Sequence, residues 1–138
     1  MEAYMFLIFL LWTDPINTNF RGVAVKGTDV VAYFTQSQVV AGQKQFSVEW
    51  QGAKWYFSSA KNKELFTADP EKYAPQFGGY CAWAVSQGYT AGIDPEAWAI
   101  VEGKLYLNYS QSVKEKWSAD QAALIKAAET NWPQILAK

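Results

Sequence analysis

Histidine is absent from this chain of 138 residues, and cysteine occurs once, at Cys81. The first absence removes the Ser–His and Cys–His nucleophile arrangements, the usual general base and the commonest transition-metal ligand together. The second leaves no partner for an intrachain disulfide and no thiolate pair for a zinc site. An excess of charge of one sign is missing too: 12 Lys and Arg face 13 Asp and Glu, interspersed along the chain. A nucleic-acid-binding domain ordinarily shows a basic patch on a cationic body, so no nucleic acid is expected as a partner. No apolar run approaches the roughly 20 residues that cross a bilayer. No internal repeat or low-complexity segment is evident.

What the chain does contain is flat apolar side chains, with 7 Trp, 8 Tyr and 8 Phe in a sequence that is half hydrophobic. That is enough for one sizeable core, and the length suits a single domain of roughly 100–150 residues. Core packing is expected for most of these rings.

Met1 to Trp12 form an apolar run whose only charge is Glu2. Its length fits the apolar region of a secretory signal, but the basic n-region and the small-residue cleavage site are missing. Three readings stay open: a degenerate or truncated signal, an uncleaved anchor on a membrane or partner, or a buried element of the domain. Thr13-Asp14-Pro15 is a turn-prone break. Residues 1–13 are therefore read as a hydrophobic leader and 14–138 as the domain. Phe6, Leu7, Phe9, Leu10 and Trp12 are the expected contacts to a membrane or to subunits of a membrane complex.

Along the domain, Val23 to Val25 and Val30 to Phe34 are short apolar segments, and Thr35 to Gly42 reads as a loop. Gln45 to Trp50 alternates polar and apolar residues, turns at Gln51-Gly52 and returns through Ala53 to Phe57, which predicts a β-hairpin. Ser58 and Ser59 are placed to cap a helix over Ala60 to Thr67, and Asp69-Pro70 to start a further turn through Tyr73. Gly78-Gly79 precedes a short buried helix, Tyr80 to Val85. A second hairpin is predicted from Ala97 to Val101 and Lys104 to Tyr109, turning at Glu102-Gly103. Ser110 or Ser112 then caps a helix through Trp117. Ser118 caps another over Ala119 to Thr130, with Ala123, Leu124, Ala127 and Ala128 as its apolar stripe. Pro133 is expected to end the ordered region. The fold class is α+β, two β-hairpins packed by short helices with a helical segment at the C-terminus.

Gly52 to Tyr73 resembles the YHS-domain family. Tyr56-Phe57, Ser59, Phe66, Asp69, Pro70 and Tyr73 stand at the spacing of that family's aromatic–aromatic–Cys–Ser segment and its Phe and Asp-Pro-x-x-Tyr elements. Asp14 to Thr18, Gly27 to Phe34 and Gly78 to Trp83 are similar to a bacterial, often signal-bearing branch. The resemblance implies ligand cysteines at positions where this chain has Ala32, Ser58 and Asn62, so a thiolate metal site of the family type is not expected. The residues themselves are read as a structural lock in which Asp69 caps the next turn, Pro70 takes its first position, and Phe66 and Tyr73 pack on the hairpin.

The ligand-binding candidates are Tyr80, Cys81, Trp83, Tyr89, Asp94 and Trp98, grouped around the glycine-containing loop from Gly88 to Gly92. Glycine lets a backbone approach a ligand closely, and aromatics beside it can line a shallow pocket. Against this stand plain core packing for the aromatics, turn hydrogen bonds for Asp29 and Asp94, and a buried, inert thiol for Cys81. The expectation is a non-enzymatic binding or accessory module without cofactor, periplasmic or secreted or attached to a membrane, whose partner is a small ligand or a membrane-complex subunit. The alternative is a metal-handling protein with a rewired site around Cys81.

Overall fold

The computed structural model describes residues 13–138, so Phe6, Leu7, Phe9, Leu10 and Trp12 lie outside the described residues. A 3-10 turn at Val25–Gly27 leads to α1 (Val30–Thr35), a helix whose first N–H groups are capped by the Asp29 carboxylate. β1 (Gln43–Trp50) and β2 (Ala53–Phe57) form an antiparallel hairpin with an irregularity between Gln43 and Ser47. Its two-residue turn needs positive φ at both positions, and Gln51 and Gly52 adopt 49° and 75°. Ser59 Oγ accepts the Asn62 N–H at 3.1 Å and starts α2 (Ala60–Ala68), after which Pro70 opens α3 (Pro70–Tyr73).

One local expectation fails in this region. The Asp69 side chain makes no cap hydrogen bond; its backbone N–H instead closes α2 on the carbonyls of Leu65 and Phe66. Phe66 does pack on the hairpin, 5.1 Å from Trp55 and 5.0 Å from Phe57. Tyr73 shares the first core with Trp55 and Phe57 of the hairpin, and it meets Phe34 of α1 edge-on at 5.4 Å where α3 turns back beside that helix.

From Gln76 the same succession begins again. A 3-10 turn at Gln76–Gly79 is followed by α4 (Ala82–Ser86), β3 (Asp94–Val101), β4 (Lys104–Asn108), α5 (Gln111–Ser118) and α6 (Gln121–Leu136). β3 and β4 start and end 51 residues after β1 and β2. The irregularity between Asp94 and Trp98 repeats that between Gln43 and Ser47. Glu102 and Gly103 have φ of 51° and 77°, matching Gln51 and Gly52. Ser110 Oγ accepts from Val113 at 3.2 Å as Ser59 does from Asn62. The left-handed run Val25, Lys26, Gly27 (51°, 53°, 80°) recurs 52 residues on at Phe77, Gly78, Gly79 (58°, 63°, 82°). The extra residue is absorbed where α4 is one residue shorter than α1.

The molecule is thus built from two copies of one unit of about 50 residues, contrary to the expectation of no repeat. Few identities survive to announce it: Gly27 and Gly79, Ala32 and Ala84, Gly52 and Gly103, Ser59 and Ser110, Lys63 and Lys114, Glu64 and Glu115, Ala68 and Ala119, Asp69 and Asp120.

β4 stands between the units and serves both. Its alternation sends Leu105 and Leu107 into a core with Tyr33, Trp55, Phe57 and Phe66, and Tyr106 into a second with Phe77, Val85, Trp117, Ala128 and Ile135. α6 closes the second core. It begins at Gln121 without a side-chain cap from Ser118 or Asp120, and it runs through Pro133 rather than ending there. Proline removes one helical N–H bond and crowds the preceding turn. Apolar anchors on both sides hold the helix across it: Trp132 packs on Phe77 and Tyr80, and Ile135 is buried. The inward stripe therefore runs through half-buried Leu124 and Ala127 and buried Ala128 and Ile135, while Ala123 is exposed. Among the described residues no helix is long and apolar enough to cross a membrane.

Candidate functional site

The first unit centres on Asp29, which is fully buried. Its Oδ1 accepts the N–H groups of Val31 and Ala32 at 2.9 and 3.2 Å. Its Oδ2 accepts the Ser58 N–H at 2.8 Å, the Ser58 hydroxyl at 2.7 Å and the Asn62 amide at 2.8 Å. One carboxylate therefore joins the start of α1, the end of β2 and the first turn of α2. Ala32, Ser58 and Asn62 do converge, as a shared ligand set would require. They do not fit a soft or borderline metal. Ala32 contributes only a backbone N–H, Ser58 and Asn62 direct protons rather than lone pairs at the centre, and a neutral hydroxyl or amide is a poor ligand for such ions. Among the described residues no group of three or more His, Cys, Asp or Glu can hold a metal ion.

In the second unit the same frame carries different side chains. Cys81 takes the place of Asp29: each precedes its helix, each is fully buried, and each N–H donates to a loop carbonyl, Asp29 to Val40 at 2.8 Å and Cys81 to Ala91 at 3.0 Å. Just as Ser58 N–H meets Asp29, its counterpart Tyr109 N–H meets Cys81 Sγ, at 3.3 Å. Ala84, Tyr109 and Val113 stand where the first unit has Ala32, Ser58 and Asn62. A thiol and three apolar groups cannot close the space as a carboxylate and its donors do, and here a cleft of about 240 Å³ opens. Cys81, Ala84, Tyr109 and Val113 line it together with Trp83, Tyr89 and Ala91.

Polar groups are sparse around this cleft. The Cys81 thiol donates to Asn108 Oδ1 at 3.5 Å, and the same oxygen accepts the Trp83 N–H at 3.0 Å. Asn108 Nδ2 is buried without a hydrogen-bond partner among the described residues. At the mouth, Tyr89 and Tyr109 are 48% and 60% exposed, so the opening faces solvent. Tyr89 meets Trp83 edge-on at 6.3 Å, and Lys116 of α5 holds its Nζ 4.3 Å above the Trp83 ring, a cation–π contact.

Of the six candidates read from the sequence, the fold gathers Cys81, Trp83 and Tyr89 in this cleft and sends the other three elsewhere. Tyr80 packs at a tilt against Trp132, 5.9 Å between ring centroids, and donates its hydroxyl to the Asp14 carbonyl at 3.0 Å. Burial, then the Asp14 charge, pushes its phenol pKa up. Trp98 packs against Tyr33 at 5.1 Å. Asp94 bonds the Glu96 N–H at 2.9 Å, a turn contact at the start of β3. Ala84, Ala91, Tyr109, Val113 and Lys116 were not anticipated. Tyr109 and Val113 carried one usable signal, their spacing of 51 residues from Ser58 and Asn62.

These features define a class first: a small α+β module made of a capped helix, a hairpin and a serine-capped helix, with one site at their junction. Residues 30–77 match the family model of the YHS domain. That family is of the metal-binding type; the donors around Asp29 depart from it. Comparison with curated proteins finds no match, and comparison with solved structures finds none. The matched segment covers the first unit from α1 onward, beginning just after Asp29, whereas every residue lining the cleft follows residue 77.

Proposed function

We propose that the chain is a non-enzymatic binding module of the YHS type, in which the first unit is scaffold and the second unit holds a small ligand. The observation that carries this reading is the cleft over Cys81. It stands at the junction that the first unit fills with its own carboxylate, and it combines aromatic walls with a mouth open to solvent. Ligand sites are characteristically concave, mostly apolar and largely pre-formed. The chain's lack of histidine, and a cleft lining that includes no carboxylate, favour binding over acid–base chemistry. The test is ligand-observed NMR of the full-length chain with a panel of small aromatic and aliphatic compounds, repeated with Ala91→Leu, which adds bulk to the cleft wall. Binding that is lost in the variant is the expected result. No binding by any compound, or binding indifferent to the variant, would defeat the proposal.

Export or membrane attachment is proposed with it, supported by the apolar run from Met1 to Trp12. Fractionation of cells expressing the full chain and one starting at Thr13 should place only the former in membrane or periplasm; identical distribution of the two would refute it.

A further inference from the structure

We infer that the occupant of the cleft is a small aromatic carboxylate, and that Lys116 is the residue that selects its charge. This rests on the reading of the cleft as a ligand site. The repeat isolates what is special about position 116. Its counterpart 51 residues earlier is Leu65, a partly buried side chain packed against the first core. The second unit replaces that packing leucine with a lysine, one helical turn beyond the cleft-lining Val113 and on the same side of α5. The ammonium is then held over the ring of Trp83, itself a wall of the cleft.

Shape and charge agree on the ligand. A volume of about 240 Å³ lies below the roughly 300–1,000 Å³ of sites for drug-sized molecules and suits a single ring with a short substituent. Trp83, Tyr89 and Tyr109 offer that ring offset or edge-to-face contacts above Cys81. An ammonium ligand would meet Lys116 as a like charge. A carboxylate left at the mouth would draw Lys116 off the Trp83 ring into a charge-assisted hydrogen bond.

The experiment is calorimetric titration of the full-length chain with phenylacetate, phenylacetamide and phenethylamine at neutral pH, in wild type and in Lys116→Met. Phenylacetate should bind about 1.5- to 5-fold more tightly than the amide, the range for a solvent-exposed ion pair, with the amine weakest. The advantage should shrink between about 20 mM and about 500 mM salt as screening shortens. It should vanish in Lys116→Met, with amide binding retained. Equal affinity for acid and amide in wild type, tighter binding of the amine, or an acid preference that survives in Lys116→Met overturns the assignment while leaving the cleft a ligand site. Silence of all three probes overturns the assignment, and the cleft reading falls with it only when the wider panel of aromatic and aliphatic compounds is silent too.

Discussion

Asp29 shows how much one side chain can organise when water is excluded. Its oxygens take five N–H and O–H donors from three elements. Asp29→Ala would leave these donors buried without an acceptor, each costing about 1–3 kcal/mol when unrelieved. A net loss of about 3–5 kcal/mol is expected by urea denaturation, the range for disrupting a buried charge network. A loss under about 1 kcal/mol would mean that the donors find other partners. Tyr33 makes a second residue-scale prediction. Its hydroxyl donates to the Pro95 carbonyl at 2.7 Å, and burial, then Glu96 and Asp94, raise its pKa well above the ordinary tyrosine range. The folded state thus keeps a proton that the unfolded chain loses above about pH 10, so this contribution is complete below pH 10 and declines as pH rises further. Tyr33→Phe should flatten the alkaline limb of the stability curve; an unchanged limb would exclude Tyr33 as its source.

At the scale of elements, the caps and turns were legible in the sequence because their physics is local. Ser59 and Ser110 cap as expected, and the turns Gln51-Gly52 and Glu102-Gly103 fall where the strand patterns break. Ser110→Ala should lower stability by about 1 kcal/mol and fray the first turn of α5, weakening ligand binding because that helix carries Val113 and Lys116. Affinity unchanged in that variant would show α5 to be held by packing alone. Pro133 was misjudged because a proline's local cost says nothing of what its neighbours bury. Pro133→Ala restores a helical N–H at an exposed position and should stabilise the protein by about 1–3 kcal/mol in thermal or urea unfolding.

Across the whole molecule the two units share β4, and Trp83 packs against both cores. Loosening either core exposes a face of the same strand. Far-UV and near-UV circular dichroism should therefore report one coincident unfolding transition, whereas two separated transitions would show that the units fold independently. The amino-acid sequence by itself determined the class of fold, both hairpins, the capped helices, the YHS segment and the loss of its thiolates, since each depends on neighbours a few residues away. Only the tertiary structure decided the duplication and the cleft. A repeated backbone preserves positive φ at turns and a cap at each helix start, demands that many residue pairs satisfy, so identity faded while geometry stayed. The cleft brings Cys81 against Tyr109 and Val113, far apart in the chain, and its emptiness depends on what those side chains fail to fill, which no local pattern records.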